Sequence, residues 1–223
     1  MANIYLSIPN SRRVDISVLD SVVNIISDKG PELHTIFKDF KSGKPMEHCL
    51  NEKVERFLCT DCEYFLTIDS DNPPTGNPLR YLDPELDIQS FPTPTWRHQG
   101  FSEAYGWMPI TLNAFDKVEG GYKEHFPQDG LQEVDAVGNG CVLIHRRVLE
   151  QIKPAFVRKW NDNGTTRIGS DLNLCERAKF YGFKIWANYD CCCSHLQTID
   201  LLQVRHVINK RAEYIIGQKK CLA

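Results

Sequence analysis

Glu63-Tyr64-Phe65-Leu66-Thr67-Ile68-Asp69-Ser70-Asp71-Asn72-Pro73-Pro74 is an apolar run that ends in two carboxylates one residue apart and then in two prolines. Aromatic and β-branched residues in close succession suit a strand buried on both faces, the pattern of a parallel sheet. Pro73 and Pro74 forbid its continuation. Asp69 and Asp71 therefore belong to the carboxyl edge of a strand, where open α/β sheets bind their ligands. Carboxylates this close repel each other unless a cation lies beside them. A divalent ion such as magnesium or manganese, which takes oxygen ligands and keeps positions for phosphate or water, is the functional reading. The bland reading is a polar loop in which Asp69 caps a turn and Asp71 is solvated.

On the amino-terminal side, Leu50, Val54, Phe57 and Leu58 mark one face of a helix over residues 49–58 that feeds directly into this strand. Residues 4–8 form a first strand ending at Pro9, and Val14, Ile16, Val18, Leu19, Val22, Val23 and Ile26 follow helical spacing until Gly30-Pro31 stops it. Residues 33–40 are a second strand or a loop. The order strand, helix, strand, helix, strand implies a mostly parallel twisted sheet flanked by helices.

Beyond Pro74 comes a long, proline-rich connection whose strand-like piece is residues 86–91. Trp96-Arg97-His98-Gln99-Gly100-Phe101 and Tyr105-Gly106-Trp107 mix aromatics with hydrogen-bonding groups, which suits a substrate wall or a loop anchor equally. A strand is expected over residues 107–115. Residues 134–152 divide into a loop holding Gly138 and Gly140, a strand, and a short helix closed by Pro154. Those glycines let a ligand approach the backbone. They precede a strand and lack the further glycine of a dinucleotide fingerprint, so a Rossmann cofactor site is rejected. Residues 170–182 read as a helix with Ser170 as N-cap, Asp171 in the first turn and Gly182 at the carboxyl cap. Residues 183–189 form the last strand, His195 follows it, and residues 199–216 form an amphipathic helix able to pack or to serve a homodimer contact.

With 223 residues, 25% of them charged, and a net charge of −3, the composition is that of an ordinary globular protein with no overall basic steering toward nucleic acid. No signal-peptide pattern is expected, nor any run of about 18 apolar residues that would cross a membrane. Nine cysteines at irregular spacing, including Cys191-Cys192-Cys193, read as reduced thiols of a cytoplasmic protein. Cys59 and Cys62 have zinc-ligand spacing and could be completed by the Cys191 to His195 segment, but core packing is the preferred reading.

Taken in order, Ile68-Asp69-Ser70-Asp71, the Val134-to-Ile144 segment, Ser170-Asp171 with Arg177-Ala178 and Gly182-Phe183-Lys184-Ile185-Trp186, and finally His195 resemble the GT-A-type, family-2-like nucleotide-sugar glycosyltransferases of bacteria and bacteriophages. The resemblance implies a single α/β domain over residues 1–223, with a catalytic core to about residue 196 and a helical extension over 197–223. Asp71 and His195 would bind Mn2+ or Mg2+ at the diphosphate of a donor, a UDP-sugar by first choice. Asp69 and Ser70 would lie at the donor, Pro9 and Asn10 at its base, and Asp135, Gly138, Asn139 and Gly140 toward its sugar and the acceptor. Asp171 occupies the place of the general base of inverting members, although Ser170 stands where they carry Glu. The helix dipole would help keep it ionised. Acceptors in such enzymes include glycans, proteins and hydroxymethylated pyrimidines of phage DNA, and Arg97, His98, Lys117 and Lys123 would be placed to meet phosphates. The competing functions are an inactive nucleotide-sugar-binding module of the same fold and a zinc-stabilised nucleic-acid-binding protein.

Overall fold

Strand β1 (Asn3–Ser7) leads through helix α1 (Ile16–Ser27) to β2 (Thr35–Asp39), and helix α2 (Met46–Leu58) then enters β3 (Tyr64–Ile68). Short strands follow: β4 (Ile88–Ser90), β5 (Pro94–Trp96), β6 (Ile110–Leu112), β7 (Ala114–Val118), β8 (Gly121–Glu124), β9 (Leu131–Val134) and β10 (Ala136–Val137). Strand β11 (Cys141–His145) runs into helix α3 (Arg146–Gln151). The hairpin β12 (Lys159–Trp160) and β13 (Thr166–Ile168) precedes helix α4 (Ser170–Phe180), and β14 (Ile185–Asn188) closes the series. The computed structural model describes residues 2–9, 14–28, 35–39, 46–96 and 110–198, with 201–202, 204–205 and 208–209 beyond them.

The central sheet has seven strands in the order β2-β1-β3-β11-β4-β14-β9. Its β1–β2, β1–β3 and β4–β14 pairs are parallel, while β3–β11, β4–β11 and β9–β14 are antiparallel. The expected mostly parallel sheet is therefore a mixed one. At the edge β9 runs antiparallel to β14, and in the middle the cause is β11, which pairs antiparallel with both β3 and β4. Its own residues Cys141 to Ile144 are buried like those of any central strand, so direction was not written in their pattern.

Every residue of β3 is buried, as its composition demands. Phe65 joins Tyr5, Leu50, Val54 and Phe57 on one face, whereas Tyr64, Leu66 and Ile68 join Ile4, Leu6, Val18 and Val22 on the other. Period-two alternation thus sends β1 and β3 into two cores, with α2 on one side and α1 on the other. Helix α1 starts at Ile16, just after the first residue of its apolar spacing, Val14, because Asp15 caps it and accepts from the Ser17 N–H at 2.9 Å. Residues 35–39 settle as a strand.

The strand expected over 107–115 breaks at Asn113, whose backbone N–H donates to Thr93 O and whose side-chain oxygen accepts from Thr93 N–H. Two short strands, β6 and β7, result. Ser170 is the first residue of α4 and not its cap. Gly169 is the N-cap, without a side-chain bond, and Gly182 follows the helix at φ +85° as the carboxyl-cap reading requires. In the expected last helix, Leu201, Leu202 and Ile208 are helical and exposed, while Val207 and residues 210–216 lie outside the described residues. Among the described residues no helix is long and apolar enough to cross a membrane.

Candidate functional site

The carboxyl end of β3 opens into a cavity of about 500 Å³, within the range of small-molecule sites. Asp69, Ser70, Asp71 and Asn72 line it from the turn after β3, Gly138, Asn139 and Gly140 from the turn before β11, and Asp171 and Leu172 from the start of α4. Thr93, Thr95, Asn113, Phe115, Met46 and His195 complete the wall. Of the site residues expected from sequence, eight converge here: Asp69, Ser70, Asp71, Gly138, Asn139, Gly140, Asp171 and His195. Pro9 is buried at the end of β1 and does not line the cavity, and Asn10 lies outside the described residues.

His195 is brought to Asp71 by a backbone ladder that no local pattern announces. Thr75 N–H donates to Cys192 O, Ser194 N–H to Pro73 O and Leu196 N–H to Asp71 O, so the segment after β14 runs antiparallel beside the Asp71–Thr75 turn. Cys193 N–H adds a bond to Pro92 O. Cys191 and Cys193 turn into the core beside Cys141, while Cys192 faces outward, the alternation of an extended segment. The triple cysteine is thus packing. Cys62 is buried in the opposite core and Cys59 is exposed, and among the described residues no group of three or more metal-ligating side chains forms. The zinc-stabilised reading has no site there.

Both ring nitrogens of His195 have neighbours that fix the ring. Its Nδ1 lies 2.7 Å from Pro94 O, which can only accept, so Nδ1 carries the proton and the neutral ring presents the Nε2 lone pair. Nε2 stands 3.5 Å from Asp71 Oδ2 and takes a hydrogen bond from Gln197 Nε2 at 2.7 Å. The single Nε2 lone pair is thus engaged by Gln197, and a cation joining Nε2 to Asp71 would have to displace that amide. Asp71 Oδ2 and His195 Nε2 are near enough for one divalent ion to meet both.

The cavity is acidic. Asp69 Oδ1 is buried and without a hydrogen-bond partner, and burial, followed by the nearby Asp71 and Asp171 carboxylates, raises its carboxyl well above the ordinary range. Asp171 accepts from the Leu172 N–H at 2.9 Å, with its carboxylate folded against Gly169. Burial raises it too, outweighing the backbone N–H groups of the helix start and the attraction of Arg158. The helix terminus alone therefore does not set its state. No Lys or Arg lines the cavity among the described residues.

Two sequence expectations are redirected. Gly138 and Gly140 line the cavity without a positive φ, and the structure gives a packing reason for them. A Cβ on Gly138 would stand 2.5 Å from Asn113 Nδ2, and one on Gly140 would stand 2.3 Å from Thr93 Oγ1, so these glycines admit neighbouring side chains. Asp135 lies outside the cavity lining, where its carboxylate is ion-paired with Lys179 and accepts from Lys117 N–H at 2.7 Å. Burial opposes its charge, but Lys179 and Lys117 outweigh that and hold it below the usual carboxylate range. Lys117 and Lys123 are likewise turned to Glu176 and Asp116, at 3.4 and 3.9 Å, and Arg97 and His98 lie outside the described residues. Sequence reading missed Asn72, Thr93 and Asn113. Asn72 adjoins the carboxylate pair and could have been found by proximity, whereas Thr93 and Asn113 sit in stretches without periodicity.

Neither a protein-family model nor a curated protein sequence matches the chain. Among solved structures it is similar to A197 from STIV, with a TM-score of 0.60 and 16% identity, covering 89% of this chain and 87% of that one. The likeness is one of fold. A glycosyltransferase involved in the glycosylation of the major capsid of PBCV-1 superposes at TM-score 0.41 with 13% identity, covering 93% and 99% of the two chains. An apo-UDP-glucose pyrophosphorylase does so at 0.42 with 12% identity, covering 98% and 100%. At those scores neither bears on function, which is argued from the cavity.

Proposed function

We propose that this protein is a metal-dependent glycosyltransferase that moves a sugar from a nucleoside-diphosphate donor, a UDP-sugar by first choice, to an acceptor hydroxyl. The observation that carries the reading is the pairing of Asp71 with a tautomerically fixed His195, 3.5 Å apart, at a cavity that also holds Asp69 and Asp171 and no lysine or arginine among its described lining residues. An anionic diphosphate cannot enter so acidic a cavity alone. Mn2+ or Mg2+ bound by Asp71 and His195 would supply the positive charge that the diphosphate needs as it leaves.

The remaining steps belong to the chain's own groups. Asp69, behind Asp71, faces the sugar side of the donor. Asp171 lines the same cavity, and its raised carboxyl is nearer the proton affinity useful in a general base than an exposed aspartate would be. It would take the proton of the acceptor hydroxyl as that oxygen bonds to the anomeric carbon and the bond from that carbon to the diphosphate oxygen breaks. Attack from the side opposite the diphosphate inverts the anomeric centre. Leu172, Phe115 and Met46 give the cavity an apolar flank.

The test is to incubate the protein with a panel of nucleotide-sugars and Mn2+ and to follow release of the nucleoside diphosphate. Turnover or binding that is lost in Asp71→Ala and His195→Ala is expected. Failure of every donor, with both variants indistinguishable from the parent, would overturn the reading. Mass spectrometry of macromolecules made with and without the protein then gives the acceptor and the transferred mass together.

A further inference from the structure

Asn72 and Asn113 line the cavity beside Asp69, are 3% and 9% exposed, and use little of their hydrogen-bonding capacity within the protein. The orientation of Asn113 is fixed. Thr93 N–H can only donate, so the atom 2.7 Å from it is Oδ1, and Nδ2 is left over the Gly138 backbone with no hydrogen bond among the described residues. The Asn72 amide rests over Gly140, whose added Cβ would come within 3.1 Å of Nδ2, and it too makes no side-chain hydrogen bond among the described residues. Amide N–H groups held in a buried setting are costly to leave without a partner. Here both belong to the wall of one open cavity, where a ligand can satisfy them.

Their chemistry is complementary to that of the acids beside them. A sugar hydroxyl both donates and accepts, so it is read best by one acceptor and one donor together. Asp69 and Asp171 supply acceptors, and the amides of Asn72 and Asn113 supply N–H donors. None of these four groups offers a positive charge to pair with a carboxylate on the sugar. The shelf also depends on Gly138 and Gly140, which are needed because the Asn113 and Thr93 side chains occupy the space a Cβ would fill.

We infer that Asn72 and Asn113 form, with Asp69, a clamp that reads the hydroxyls of a neutral sugar ring and refuses sugars carrying a carboxylate. The inference rests on the donor reading above and specifies its sugar class. Asn72→Ala is a clean probe, because its amide leaves no described hydrogen-bond partner behind. Asn113→Asp keeps the oxygen that accepts from Thr93 N–H and removes the N–H donors.

The experiment is calorimetric titration of the full chain, first with UDP, GDP, CDP, ADP and dTDP, each with Mn2+, and then with the neutral hexose conjugate of the nucleotide that binds and with its uronate counterpart. The expected result is that the neutral conjugate binds at least about tenfold more tightly than the uronate. Asn72→Ala should weaken the neutral conjugate roughly three- to tenfold, the effect of one hydrogen bond, with the melting temperature and the affinity for the bare nucleoside diphosphate retained. Asn113→Asp should narrow the gap between the bare diphosphate and the conjugate in the same direction. If a nucleoside diphosphate binds but the uronate binds as well as the neutral sugar, or both variants hold the conjugate like the parent, the clamp is wrong and the donor reading survives. If no nucleoside diphosphate binds, the donor reading falls and the clamp with it.

Discussion

Replacing Gly140 by alanine tests the architecture of the cavity without touching a charged group. Its Cβ would lie 2.3 Å from Thr93 Oγ1, 3.0 Å from Thr93 Cβ and 3.1 Å from Asn72 Nδ2. Thr93 is 2% exposed and its Cβ as well as its Oγ1 is in the way, and Gly140 O is itself held by Asp69 N–H at 2.8 Å. Forcing a methyl group into a packed site costs about 1–3 kcal/mol. For a chain of this size each kcal/mol lowers the melting temperature by about 2–4 °C, so Gly140→Ala should melt about 2–12 °C below the parent. Gly121→Ala is the matched control, since a Cβ there meets nothing within 4 Å and needs no unusual backbone. It should be neutral or stabilising by about 0.4–1 kcal/mol. Circular dichroism melts of the three proteins decide the matter. Equal melting temperatures for Gly140→Ala and Gly121→Ala would refute the claim that Thr93 and Asn72 are pressed against this turn.

Further outcomes follow from other groups. Asp171→Asn should cut the transfer rate by about 10² to 10⁴ while leaving donor binding in place. In the parent the rate should rise with pH through a pKa above the ordinary aspartate value, because the base works only when ionised. A carboxyl whose folded pKa is raised disfavours the folded state once pH exceeds its unfolded value, so Asp171→Asn should also melt higher than the parent near neutral pH. Glu176 shows the opposite sign. Lys159 at 2.8 Å, with Lys117, holds it below the usual range, so its stabilisation is present above the unfolded pKa and is lost as pH falls through the lower folded one. Glu176→Gln should flatten that acid limb in stability measured from pH 6 to 2. Arg146 donates to Leu58 O at 2.8 Å, Thr60 O at 2.9 Å and Cys62 O at 3.0 Å, which closes the end of α2 before β3. Arg146→Met should cost at least about 2 kcal/mol in chemical denaturation, since bonds to a charged donor contribute about 1.5–3 kcal/mol.

What was legible in the sequence follows from which forces are local. Tyr64 to Ile68 are buried on both faces and stop at paired acids, and that pattern has one reading at short range. The apolar face of α1 and the glycine after α4 are local as well. Strand direction is not, because a strand buried on both faces looks alike whether its neighbours run with it or against it, and β11 made the sheet mixed. Within the cavity, Asp69, Asp71 and Asp171 could be found because carboxylates near strand and helix ends are conspicuous. Asp135 was equally conspicuous, yet Lys179 and Lys117 engage it outside the cavity, and nothing in its neighbours' spacing announces a lysine 44 residues later. Thr93 and Asn113 were silent for a different reason. Neutral amides and hydroxyls carry no charge pattern or periodicity, and their importance arises from two glycines that make room for their neighbours.

The central claim is that Asp71 and His195 together hold a divalent cation that serves a nucleoside-diphosphate donor. The most direct measurement is an electron paramagnetic resonance titration of Mn2+ into the full chain, with and without UDP. The account predicts one bound Mn2+ per chain, tighter with UDP present, and loss of that site in both Asp71→Ala and His195→Ala. A parent protein that leaves Mn2+ free at every concentration of UDP, or variants that bind it as the parent does, would contradict it.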